Sequence, residues 1–164
     1  MNIKTGACIS RGLGFVLMAV LLFGAMGYGE EPVREYYANG QLKSEEAFRN
    51  GTLEGLTRRH YENGKLESEQ VFKSGKNEGP FKAYYESGPL RKEGSYKDGK
   101  REGAFKTYHE NGQLVLDEFY KDGKLEGLFK TYYGDGRLRS AALYKDGKRV
   151  GPLKEYDKDG KLKA

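Results

Sequence analysis

Two histidines, one cysteine and regularly spaced lysines, arginines and carboxylates are the side chains of this 164-residue chain that could do chemistry. Nucleophilic catalysis needs a nucleophile held against a base, and acid–base catalysis needs titratable groups held in different surroundings. The sequence offers neither arrangement. His60 lies in the register of Tyr84, Tyr108 and Tyr132, and His109 in that of Tyr61, Tyr85 and Tyr133. On a strand, positions offset by one residue face opposite sides, so the two imidazoles are expected to be separated and to share no metal. One Cys with two His also falls short of a zinc set. Paired acids such as Glu45 and Glu46 alternate across a strand and recur without a nucleophile. The glycines mark turns, and no helix follows them to make a phosphate cradle. The expectation is a non-enzymatic chain with no catalytic residue, metal or cofactor.

What remains is binding chemistry. Arg58, Lys82, Lys106, Lys130 and Lys154 recur at one spacing. So do Arg49, Lys73, Lys97, Lys121 and Lys145, and also Lys76, Lys100, Lys124 and Lys148. Tyr pairs such as Tyr36-Tyr37, Tyr84-Tyr85 and Tyr132-Tyr133 interleave with them and put one ring on each face of a strand. Exposed tyrosines suit protein recognition, whereas cation rows suit an anionic lipid surface or an envelope polymer. Acidic rows oppose the basic ones: Glu54, Glu78, Glu102 and Glu126, and Glu45, Glu69, Glu93 and Asp117. They are expected to form cross-strand pairs on a largely self-neutralising surface. The candidate binding residues are Tyr84, Tyr108, Tyr132, Lys82, Lys106 and Lys130. Leu114-Val115-Leu116 and Ala141-Ala142-Leu143 are more apolar than their counterparts and could add an apolar patch. The net charge of +5 is too small to argue for nucleic acid as a partner.

The elements that position these residues come from one repeat with a period of 24. Gly55, Gly79, Gly103, Gly127 and Gly151 keep that step, as do Leu42, Leu66, Leu90, Leu114, Leu138 and Leu162. Each unit carries two turn signals. One contains Gly40, Gly64, Gly88, Gly112, Gly136 and Gly160; the other contains Gly51, Gly75, Gly99, Gly123 and Gly147. Nearly every one of these follows Asn or Asp, with Ser at 74 and 87, which favours two-residue type I′ hairpins. Gly64, Gly75, Gly88, Gly99, Gly112, Gly123, Gly136 and Gly147 are therefore structural. Joined this way, the chain becomes an all-β antiparallel meander of about twelve strands, an elongated curved sheet or solenoid of stacked hairpins. The glycines at 55, 79, 103, 127 and 151 fall inside the longer strand, where they mark a bend or bulge. The open end strands would allow self-association.

Residues 1–29 form a separate segment. Lys4 and Arg11 precede an apolar run at residues 13–25, followed by small residues Ala25, Gly27 and Gly29. This is the pattern of a signal peptide cleaved near residues 27–29, leaving a repeat domain at 30–164 exported to the periplasm or beyond. Retention of the run would instead tether the chain to a membrane. Cleavage removes Cys8 and two positive charges, leaving about +3.

The unit Asp98-Gly99-Lys100-Arg101-Glu102-Gly103-Ala104-Phe105-Lys106-Thr107-Tyr108, followed by Asn111-Gly112-Gln113-Leu114, resembles the MORN repeat, and more closely its bacterial variant. Proteins of the YwqK antitoxin type are built from this variant. The resemblance implies all-β hairpin stacks used for binding, no catalytic residues to carry over, and a protein partner that is neutralised by stoichiometric contact.

Overall fold

The computed structural model describes residues 31–163, so the expected leader lies outside the described residues. Its strands are β1 (Val33–Tyr36), β2 (Leu42–Glu46), β3 (Phe48–Arg49), β4 (Thr52–Leu53), β5 (Gly55–His60), β6 (Leu66–Lys73), β7 (Lys76–Tyr84) and β8 (Leu90–Lys97). They continue as β9 (Lys100–Arg101), β10 (Gly103–Tyr108), β11 (Leu114–Lys121), β12 (Lys124–Leu125), β13 (Gly127–Tyr132), β14 (Leu138–Lys145), β15 (Lys148–Arg149) and β16 (Lys154–Glu155). Fourteen of them form one antiparallel sheet in chain order, and β3 pairs with β4. The meander is as the repeat requires. The described residues hold sixteen strands instead of about twelve, because most of the longer strands break just before their internal glycine. Gly55, Gly103 and Gly127 have φ of 105, 80 and 76°, a left-handed conformation that interrupts the pleat.

The two turn families differ. Asn50, Ser74, Asp98, Asp122 and Asp146 all have positive φ, as do the glycines after them, which is the type I′ hairpin. In the other family only the glycine is left-handed. There the Gly40 N–H donates to the Tyr37 carbonyl at 2.9 Å and the Tyr37 N–H to the Gln41 carbonyl at 2.8 Å. This closes a three-residue loop with a glycine bulge, and the register slips beside it between Glu35 and Tyr36. The expectation of type I′ geometry is thus corrected for this family. The Asn39 side chain accepts from the Gln41 N–H at 2.9 Å, which holds the backbone in an Asx turn and outside the left-handed region.

Neighbouring repeats are stitched at both ends of each hairpin. The hydroxyls of Tyr37, Tyr61, Tyr85 and Tyr133 donate to the carbonyls of His60, Tyr84, Tyr108 and Tyr156, all at 2.7–2.8 Å. At the opposite end, carboxylates of Glu54, Glu78, Glu102 and Glu126 accept the turn N–H of Ser74, Asp98, Asp122 and Asp146 in the next repeat, at 2.7–2.9 Å. This acidic row therefore caps turns; it does not neutralise a basic row across the strands. Hydrogen bonds to a charged acceptor contribute about 1.5–3 kcal/mol each, more than neutral ones.

One face of the sheet carries the core. Phe81, Tyr96, Phe105 and Tyr120 meet edge to face, with successive centroids 6.0, 5.4 and 5.4 Å apart. Phe129 and Tyr144 extend the row at 5.7 Å. Phe105 is fully buried. The Arg101 guanidinium covers the core, 5.1 Å from the ring centroids of both Phe105 and Tyr120.

Candidate functional site: the ladder face

The opposite face carries the sequence-predicted binding residues. Cross-strand register sets Arg34 opposite Glu45, then Arg58, Glu69, Lys82, Glu93, Lys106, Asp117 and Lys130 in unbroken alternation. After Lys130 the next two places are Ala141 and Lys154. The acid expected between the last two cations is missing, so the ladder ends with a local excess of positive charge.

Among the described residues, direct ion pairing along the ladder is confined to the first rungs. Arg34 contacts Glu45 at 2.6 Å, and Arg58 contacts it at 3.6 Å. The hydrogen bond from Arg34 holds the Glu45 carboxyl below its usual range. Further along, the acids engage tyrosines: Tyr84 donates to Glu69 at 3.1 Å and Tyr108 to Glu93 at 2.6 Å. Burial pushes the Tyr108 phenol up to about 12, helped by the hydrogen bond to Glu93 and its charge. Burial raises Tyr84 and Tyr132 as well, with Glu69 adding to the first and Asp117 to the second. These three rings are half-buried, so their hydroxyls serve the ladder while their edges remain at the surface. Lys82 is exposed, and Lys106 and Lys130 are half-buried. Among the described residues, none of these three lysines has an ion-pair partner within 4.0 Å.

Beside the last rungs lies an apolar row. Phe119 sits two residues beyond Asp117, Leu128 two before Lys130, and Leu143 two beyond Ala141, so all share the ladder face. Leu128 stands directly opposite Leu143, and Ala104 opposite Phe119. The Val150 N–H donates to the Leu143 carbonyl at 2.8 Å, extending the row by one place. Phe119, Leu128, Leu143 and Val150 are 47%, 53%, 46% and 47% exposed. Beyond the row, exposed Lys121 pairs in register with Lys124, and Lys145 with Lys148. Apolar side chains are thus bordered by cations on both sides. Of the two apolar tripeptides expected to form a patch, Ala141 and Leu143 belong to this surface, Val115 is half-buried, and Ala142 is buried in the core. Sequence reasoning missed Phe119, Leu128 and Val150. Their signal was a large apolar residue where the preceding units carry a small or polar one: Phe119 in the register of Ser95, Leu128 in that of Pro80 and Ala104, and Val150 in that of Glu126.

The histidines stay in different repeats. The His60 backbone carbonyl receives the Tyr37 hydroxyl, while His109 replaces the tyrosine of that clamp. Among the described residues, no group of three or more His, Cys, Asp or Glu side chains could hold a metal.

The chain belongs to the MORN repeat variant family, which matches residues 32–50, 53–74, 77–98, 101–122, 125–146 and 149–164. It is a repeat module of a kind that generally binds without catalysing. A search of curated proteins finds no significant match. Among solved structures, the crystal structure of accessory secretory protein 1, 2 and 3 in Streptococcus pneumoniae is similar over 65% of this chain and 20% of that one, with 15% identity and a TM-score of 0.36. The chain thus spans about a fifth of that structure's length.

Proposed function

We propose that this chain is a non-enzymatic interaction module that docks another protein on the C-terminal half of its ladder face. The observation that carries the reading is the exposed row Phe119, Leu128, Leu143 and Val150, bordered by Lys106, Lys130 and Lys154. Apolar side chains supply the contact area, and the excess of positive charge at the ladder's end steers a partner whose matching surface is apolar with an acidic rim. In its more specific form the partner is a toxin that the chain neutralises by stoichiometric binding, in keeping with the resemblance to YwqK-type antitoxins. The leader pattern at residues 1–29 supports a site of action outside the cytoplasm.

Affinity capture with the full chain, at low and high salt, tests the reading. A protein retained at both salt concentrations supports it. A second reading draws on the facing lysines Lys121–Lys124 and Lys145–Lys148: association with anionic lipid or an envelope polymer. Vesicles containing phosphatidylserine would then bind at low salt and release as salt rises, because exposed charges are screened.

A further inference from the structure

The first repeats carry a defect on the core face that the later repeats lack. Thr57 stands where Phe81, Phe105 and Phe129 supply the aromatic row, and Asn77 stands in the register of Leu53, Arg101, Leu125 and Arg149. The missing ring leaves a hollow of about 280 Å³ lined by Glu46, Thr57, Arg59, Gln70, Phe72 and Asn77, among others. A second hollow of about 190 Å³ shares Glu46 and Arg59 as a wall and reaches His60. Among the described residues, three buried side-chain polar atoms have no hydrogen-bond partner: Thr57 Oγ1, His60 Nδ1 and Asn77 Oδ1. Thr57 and Asn77 both line the larger hollow, and Thr57 is only 7% exposed.

Unpartnered buried polar atoms are costly and call for a ligand that completes them. The chemistry of the lining selects among ligands. Arg59 and Glu46 already face each other at 3.6 Å, so the shared wall is charge-balanced and favours a neutral molecule. A threonine hydroxyl both donates and accepts, and an amide oxygen accepts. Hydroxyl groups on the ligand match both. Phe72 and Leu53 offer an apolar wall for the C–H face of a ring. The larger hollow lies just below the range of about 300–1,000 Å³ that holds drug-sized molecules, which leaves room for a single ring.

We infer that this notch is a carbohydrate site, taking one sugar unit against Thr57, Asn77 and Phe72. It lies on the opposite face from the docking surface and does not depend on that reading. The test is a nuclear magnetic resonance titration of the full chain with glucose, N-acetylglucosamine and cellobiose in turn. Saturable shifts confined to Thr57, Gln70 and Asn77 are expected with at least one sugar. They should vanish in Thr57→Phe, which refills the aromatic row, and weaken at least tenfold in Asn77→Leu. Each variant's own dispersed spectrum reports its folding, and if one fails to fold the other decides. No saturable shift with any of the three sugars overturns the inference, as does undiminished binding in a folded variant.

Discussion

The ring of Phe105 lies directly over the backbone of Gly94: a Cβ built on Gly94 would come within 2.4 Å of two ring carbons. Gly94 has no left-handed backbone, so it is glycine for space alone. Gly94→Ala must displace the only fully buried large side chain among the described residues. A loss of about 1–3 kcal/mol is expected, as for overpacked cores. Phe105→Ala should cost about 3–5 kcal/mol. Urea unfolding of both variants measures this, and equal stability of Gly94→Ala and wild type would refute the packing argument.

The tyrosine clamp predicts a stabilising substitution. Tyr85 and Tyr133 each reach a carbonyl 23 residues on at 2.7 Å, while His109 between them makes no such bond to the next repeat. His109→Tyr restores the clamp to the Tyr132 carbonyl. A gain of about 0.5–1.5 kcal/mol is expected for one added hydrogen bond, read as a higher melting temperature. A lower one would show that the histidine serves its own repeat better.

Alkaline pH should weaken the sheet through the ladder tyrosines. The Tyr108 phenol is raised from 10.0 to about 12 in the folded chain, mainly by burial and next by Glu93. The folded state therefore holds its proton more tightly than the unfolded state. That contribution to stability is complete below about pH 10 and is lost as pH rises toward 12. Phenolate absorbance should show a late-titrating tyrosine that Tyr108→Phe removes. The same variant should lose less stability than wild type between those two pH values.

Turn glycines and surface lysines should respond differently. Gly99 has φ of 80° and closes a type I′ turn with Asp98, so alanine there is strained by about 1 kcal/mol or more. Lys82 is exposed and forms no ion pair, so Lys82→Ala should change stability by less than about 0.5 kcal/mol. Thermal melts that failed to separate the two would contradict the hairpin assignment.

The period of 24 made the meander, its register and its bend glycines legible in the sequence, because turn chemistry is local. The two turn families were not distinguishable. Asn39-Gly40 and Asn50-Gly51 read alike, and what separates them is the Asx hydrogen bond from the Gln41 N–H that holds Asn39 out of the left-handed region. The Glu102 row looked like one half of a charge pair, yet its target is a backbone N–H in the next repeat, a contact set by the lateral stacking of hairpins. Lys82, Lys106 and Lys130 were legible as one row. That Phe119, Leu128 and Leu143 stand beside them depends on which register positions become neighbours across strands from different repeats. The hollow at Thr57 was legible only as a missing phenylalanine.

The most direct test of the docking surface is a quantitative affinity capture comparing the full chain with Leu128→Gln/Leu143→Gln. Both leucines are about half exposed, so the double variant should keep the fold and its melting temperature. The account predicts that a protein retained by the wild type at high salt is lost from the variant. Equal recovery of that protein by the folded variant would contradict it.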